Sequence, residues 1–339
     1  MKPLSLLVTL SAVTLAYSQQ CTQPRQRQEW RTLNDDQKHA YLDAVVCLQN
    51  LTSNGYHDGA KSRFDDFVAT HQTLTDEVHK VVRSHEQGQF LAWHRYFMKV
   101  WEDALRSECG WRGSLPYWNW SIDVDIGEFD KSPVFDPNTG FGGNGADQAQ
   151  KTAGPFNNLT SLPDWDPQAQ TGGGCVRDGP FAHYTLNIGP GTLKREHCLT
   201  RAFNPSAFSG ITGQHVNNTL AQYPFELFRL KLEGDRHTPG WDTHDGGHLA
   251  VGGDMSNVYS SPNDALFYAH HAMLDSIWTQ WQNVNSTDRM YQISGPSSVD
   301  DDAKQVTLDF VLPMTGLGDD APVRNVMDIK GGFLCYIYV

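Results

Sequence analysis

No basic stripe appears anywhere along this chain, and after residue 20 no apolar run is long enough to cross a bilayer. Lys and Arg number 26 against 39 Asp and Glu, a formal net charge of −13. A surface of that sign repels phosphate backbones, which argues against nucleic-acid binding. The short apolar runs argue against a membrane-spanning helix. There is no Cys-x-x-Cys, so the usual thiolate zinc site has no support. Internal repeats, low-complexity tails and a clear linker are missing too, which points to one domain rather than an array.

What remains is a chain of 339 residues, 39% hydrophobic and 11% aromatic, enough for a large aromatic core. Residues 1–18, MKPLSLLVTLSAVTLAYS, combine Lys2, an apolar run from Leu4 to Ala16 and small residues. That pattern predicts a secretory signal peptide cleaved near Ser18, with residues 19–339 as a single secreted, soluble domain. Six cysteines (21, 47, 109, 175, 198 and 335) in a secreted chain favour disulfides, with Cys175 and Cys198 placed to staple the loop region. Glycosylation sequons stand at Asn50, Asn119, Asn158, Asn217 and Asn285. Asn119, inside PYWNWS, is expected to be buried and unmodified.

Helical periodicity is strong in five places. Residues 28–49 read as a helix with Asn34 or Asp35 as cap. SRFDDFVATHQTLTDEVHKVV sets Phe64, Phe67, Val68, His71 and Val78 at helical spacing. QFLAWHRYFMKVWEDALRSE, AQYPFELFRLKLEG and PNDALFYAHHAMLDSIWTQWQNV complete the set, the last capped near Asn263 or Asp264. Residues 121–200 are rich in Gly, Pro, Asn and Asp and predict a long irregular excursion. The last forty residues read as loop and short strand.

The chemistry lies in the histidines. THDGGHLAVGGD places His244 and His248 four apart, on one face if the stretch is helical. Alone, such a pair is more often a surface accident than a metal pincer. The two glycines between them each cost about 1 kcal/mol of helix stability relative to Ala. Either they make room for a neighbour close to a metal centre, or they merely relax a helical turn. HDGGH also resembles the His-Glu-x-x-His zinc pincer, but its shorter Asp reaches a metal-bound water poorly. His71, His79, His85 and His94 lie upstream, and His270 and His271 sit in an apolar helix downstream. Four apolar helical segments that each turn histidines inward bring them to one point when packed as a bundle. Six imidazoles without a thiolate suggest two metals held by three nitrogens each, with open positions, and imidazole suits copper.

Over residues 28–339 the chain resembles the type-3 dicopper proteins: tyrosinases, catechol oxidases and haemocyanins. The pieces that carry the likeness are FDDFVATH, HEQGQFLAWHRYF, LPYWNW, HDGGHLAVGGDM and NDALFYAHHAMLD. It looks most like the short, secreted, fungal-type phenol oxidases. The resemblance implies a mainly α fold: an antiparallel four-helix bundle around a dicopper centre, with long irregular loops and few short strands. It assigns two copper ions. The first takes His71, His94 and one histidine between them; the second takes His244, His248 and His271. His271 rather than His270 matches because it stands four residues before Asp275, and His270 becomes a packing neighbour. For the middle ligand the family spacing favours His85, nine before His94 with Gly88 three after it; His79, eight after His71, is the alternative. Arg83 and Glu77 leave no cysteine for a thioether to either ring. Ala265 replaces a family proline and touches no ligand.

Further residues follow from the same likeness. Glu233 matches a glutamate that holds a water near the coppers. Asp245 stands where good monophenol hydroxylases often carry Asn. Leu249 and Gly247 would border the substrate pocket, and Asp275 would orient a ligand ring or serve packing. The implied activity is oxidation of o-diphenols to o-quinones with O2, ahead of monophenol hydroxylation. The expected partners are O2 and small phenols, with no nucleic acid and no membrane, for a monomer or weak dimer. No inhibitory extension is expected past GGFLCYIYV. A haemocyanin-like O2 carrier and a zinc hydrolase are the competing readings.

Overall fold

Helix capping divides the chain sharply in this computed structural model, which describes residues 21–79, 87–148, 166, 168–234, 241–298 and 302–339. The first helix, α1 (Asp35–Asn50), opens on Asn34, whose side chain accepts from the Gln37 amide while Gln37 answers the Asn34 amide. The helix expected from residue 28 therefore starts seven residues later. Trp30–Thr32 form a 3-10 turn instead, with the Glu29 carboxylate accepting from the Arg31 amide. The Trp30 amide is drawn off to the Tyr117 carbonyl.

Helix α2 (Arg63–Val78) begins on a Ser62–Asp65 capping box and ends at His79. Helices α3 (Phe90–Ser107), α4 (Trp120–Asp125), α5 (Gly213–Leu220), α6 (Phe225–Glu233), α7 (Thr243–Val251), α8 (Leu266–Val284) and α9 (Ser286–Arg289) follow. α2 packs on α3, α3 on α8 and α8 on α7, so these four form the frame around the histidines. The mainly α expectation holds.

Among the described residues strands are few and short. β1 (Arg25–Arg27), β2 (Gly145–Asp147), β3 (Gly173–Val176), β4 (Thr185–Leu186), β5 (His197–Cys198), β6 (Val311–Leu312), β7 (Ala321–Pro322) and β8 (Tyr336–Tyr338) make four two-stranded pairs, β1–β8, β2–β3, β4–β5 and β6–β7. The described part of the excursion after residue 121 is irregular apart from such pairs, and Cys175–Cys198 staples it. Cys47–Cys109 ties α1 to the end of α3, and Cys21–Cys335 joins β1 to β8.

The core is aromatic, as the composition predicts. Trp101 stacks on Tyr268 with ring centroids 3.7 Å apart, and Phe67 meets Trp101 edge-on at 5.0 Å. A buried ionic network crosses it. Asp275 on α8 accepts from Arg95 Nε and from the hydroxyls of Tyr336 (2.6 Å) and Tyr338 (2.5 Å). Arg27 pairs with Glu102 at 2.7 Å and lies 3.5 Å from the Tyr336 ring centroid. Buried charges persist only when paired in this way. Asp275 therefore serves packing rather than orienting a ligand ring.

Candidate metal centre

Helix α2 delivers His71 from its buried face. The ring's Nδ1–H donates to the Tyr259 carbonyl at 3.0 Å, which leaves the Nε2 lone pair free. His79, at the C-terminus of the same helix, brings its Nε2 to 3.0 Å from His71 Nε2. His94, one turn into α3, donates from Nδ1 to the Phe90 carbonyl at 2.9 Å and leaves a buried Nε2 without a partner. Ligand atoms of these three rings lie within 4.8 Å of one another. His85 lies outside the described residues; among those described, the alternative, His79, is brought to His71 and His94.

Helix α7 supplies His244 and His248 as the four-residue spacing requires. His248 donates from Nδ1 to the Met255 carbonyl at 2.6 Å, and its Nε2 stands 3.2 Å from His271 Nε2. His244 Nδ1 faces the Glu233 carbonyl at 3.3 Å and Asp245 Oδ1 at 3.1 Å, while its buried Nε2 is unpartnered. His244, His248, His270 and His271 form a second group within 4.8 Å. The two groups touch: the His94 and His271 rings stack with centroids 4.2 Å apart.

Burial governs the electrostatics of both groups. It lowers His71 to about 4, its Tyr259 bond opposing only in part. Burial first, and neighbouring rings second, hold His79, His94, His248, His270 and His271 well below the ordinary histidine value. Neutral rings keep their lone pairs. Two ring nitrogens 3.0 or 3.2 Å apart need a proton or a cation between them. Two nitrogens each about 2.0 Å from one ion stand roughly 3.3–3.5 Å apart, close to what both pairs show. With orphaned Nε2 atoms on His94 and His244 and an all-imidazole donor set, the residues fit copper.

The two glycines of α7 now have a reason. A Cβ on Gly247 would stand 2.2 Å from Cε1 of His270, and one on Gly246 would stand 3.2 Å from both the Gly210 Cα and Ile211 Cγ2. Gly247 thus admits a ring, and Gly246 admits a neighbouring backbone. His270 itself accepts from the Trp120 indole N–H at 3.1 Å.

Around the rings, Glu233 is buried; its Oε2 accepts from Arg229 at 3.2 Å and its Oε1 has no partner. Burial raises its carboxyl to about 8, with Arg229 opposing. Asp245 is partly exposed beside His244, and Leu249 is buried in α7. Sequence reasoning missed Phe90, whose ring lies 4.4, 4.7 and 5.0 Å from those of His94, His244 and His79. Its place one turn before His94 was the available signal. It also missed the Tyr259 and Met255 carbonyls, which no side-chain pattern encodes.

Residues 61–284 match the common central domain of tyrosinase. The chain is 35% identical over 375 residues to the N-acetyl-6-hydroxytryptophan oxidase of Emericella nidulans, covering 98% of both chains. It is 32% identical over 349 residues to Tyrosinase P of Aspergillus terreus, covering 96% of this chain and 95% of that one. A variant polyphenol oxidase from Thermothelomyces thermophila has the same fold at a TM-score of 0.82 and 31% identity, over 93% of this chain and 89% of that one. Matched through its histidine helices and along nearly its whole length, the chain belongs to the tyrosinase family of type-3 copper oxidoreductases, whose centre holds two copper ions.

Proposed function

We propose that this chain is a secreted phenol oxidase that converts o-diphenols to o-quinones with O2, using His71, His79 and His94 for one copper and His244, His248 and His271 for the other. The observation that carries it is the pair of buried imidazole groups with nitrogens 3.0 and 3.2 Å apart, set back to back through His94 and His271. His79 takes the middle place in this reading because, among the described residues, it stands within ligand distance of His71 and His94.

The two coppers, when bound, supply the transfer of two electrons from the phenol to O2. The chain's residues do the rest. Carbonyls of Tyr259, Phe90 and Met255 fix the rings of His71, His94 and His248, so these three Nε2 lone pairs point inward without rearrangement. Phe90 and Leu249 exclude water with apolar surface. Glu233, raised to about 8, holds or releases a phenolic proton near neutral pH. Asp245 can only accept hydrogen bonds when ionised, whereas Asn could also donate. A water between two carboxylates is a poorly tuned base, so diphenol oxidation leads and monophenol hydroxylation trails.

The relative that acts on N-acetyl-6-hydroxytryptophan supports a fused-ring phenol as a candidate substrate. Three disulfides, and no described helix long and apolar enough to cross a membrane, support a secreted domain over residues 19–339 after signal removal. The test is a copper count with O2 uptake on matched mono- and diphenols. Two coppers with rapid catechol turnover is the expected result; reversible O2 binding without turnover would leave an oxygen carrier instead.

A further inference from the structure

His270 is the odd member of the second histidine group. One of its ring nitrogens lies within 4.8 Å of a nitrogen on each of His244, His248 and His271, near enough for a fourth ligand. Its hydrogen bonding runs the other way from that of its neighbours. His71, His94 and His248 each give their Nδ1 proton to a backbone carbonyl and keep the Nε2 lone pair. His270 Nδ1 faces the Trp120 indole N–H at 3.1 Å, and an indole N–H can only donate. Nδ1 of His270 must therefore be the acceptor. A ring nitrogen that accepts carries no proton, so the proton of this ring sits on Nε2. One nitrogen is occupied by Trp120 and the other carries a hydrogen, so neither offers a lone pair to a metal.

We propose that Trp120 is a positioning residue that locks His270 in the Nε2–H tautomer and so keeps it from becoming a fourth nitrogen on the second copper. This rests on the dicopper reading above. The consequence is a coordination position left open for a reactant, which a fourth imidazole would fill.

The lock is built rigidly. Trp120 is fully buried at the start of α4. The segment before it is pinned to α8 next to His270, because the Trp118 amide donates to the Ala269 carbonyl at 3.1 Å. Trp118 Nε1 also donates to Asp123 at 2.9 Å, and the Asn119 amide donates to Glu29 at 3.2 Å. On the other side, the missing Cβ of Gly247 leaves room for the ring and nothing more. His270 is held between an indole and a glycine and can neither swing nor flip.

Three readouts test this, none of which uses phenol turnover. In the apoprotein, 15N–1H correlation of His270 should show the proton on Nε2; a proton on Nδ1 overturns the proposal. Trp120→Phe keeps an aromatic ring but removes the N–H, which frees Nδ1. With cobalt(II) loaded in place of copper, this variant should show the weaker visible absorption of a five-coordinate ion. In the copper form it should bind azide roughly tenfold more weakly, a shift of one decade in Kd. The double variant Trp120→Phe/His270→Asn should return the parent spectrum. An unchanged spectrum and unchanged azide affinity in Trp120→Phe overturn the lock. If that variant fails to fold, the tautomer in the parent apoprotein decides alone. A chain that passes these tests yet never oxidises a phenol would sink the proposed activity and leave the lock standing.

Discussion

Gly247→Ala is the sharpest perturbation available at this centre. Its Cβ would stand 2.2 Å from His270 Cε1 and 2.6 Å from Nδ1, where ordinary contact begins at 3.4 Å. Ring and helix must therefore part by about an ångström, and the ring has nowhere to go while Trp120 holds it. Alanine gains about 1 kcal/mol of helix propensity over glycine. Overpacking costs typically 1–3 kcal/mol. If the Trp120–His270 bond breaks, stranding two buried polar groups costs roughly 1–3 kcal/mol more. The net is a loss on the order of 1–5 kcal/mol, felt where α7 carries two ligands of the second copper. Gly246→Ala is the internal control. Its Cβ meets neighbours at 3.2–3.3 Å, which a shift of a few tenths of an ångström relieves. Copper content and thermal unfolding of the two variants measure the contrast. Gly247→Ala should retain close to one copper per chain and melt several degrees lower, while Gly246→Ala stays near the parent. A Gly247→Ala protein with two coppers and the parent melting temperature would refute the reasoning.

Three other outcomes follow from the same geometry. His79→Ala should lose the first copper and oxidase activity while His85→Ala keeps most of both; copper analysis showing the opposite ranking would restore His85 as the middle ligand. The apoprotein should be acid-labile. Six buried rings (His71, His79, His94, His248, His270 and His271) stay neutral when folded but protonate near pH 6.5 when unfolded, so stability is intact above that pH and falls below it. Between pH 7 and 5.5 each contributes about 1 kcal/mol of loss, against an opposing gain of about 2 kcal/mol from Glu233, whose raised carboxyl favours the folded state as pH falls. A net loss of roughly 4–5 kcal/mol rivals the total stability of many domains, and apoprotein that remains folded by circular dichroism at pH 4 would contradict it. Asp245→Asn should raise monophenol turnover relative to diphenol turnover; an unchanged ratio in matched O2-uptake assays would remove the proton argument.

Periodicity and side-chain type made much of this molecule legible in advance. The helices bearing His71, His94 and His271 run where the apolar spacing put them, because a 3.6-residue repeat of large side chains buries itself best as a helix, whereas the helix bearing His244 and His248 was legible only in their four-residue spacing. α1 was read too early because Trp30 looks like the start of an apolar stripe, and nothing local reveals that its amide is taken by Tyr117, nearly ninety residues on. The family spacing favours His85, which lies outside the described residues, and His79 is the one seen beside His71. A helix ending in a histidine cap gave no signal that its last ring folds back on His71 eight residues before. Trp120 was noticed only as part of an aromatic run, since a role set by which atom donates to which ring nitrogen leaves no trace in residue spacing.

The β1–β8 pair and its Cys21–Cys335 bond also make the polypeptide a covalent loop spanning a sequence separation of 314 residues. Everything the copper chemistry needs lies inside that loop. A protease that cuts once at any point between the two cysteines opens the ring but releases nothing. On a non-reducing gel such a nicked molecule migrates as one species, and its two pieces separate only when thiol is added. Pulling on the two ends beyond the cysteines would load the sulfur–sulfur bond first and leave the histidine helices unstretched.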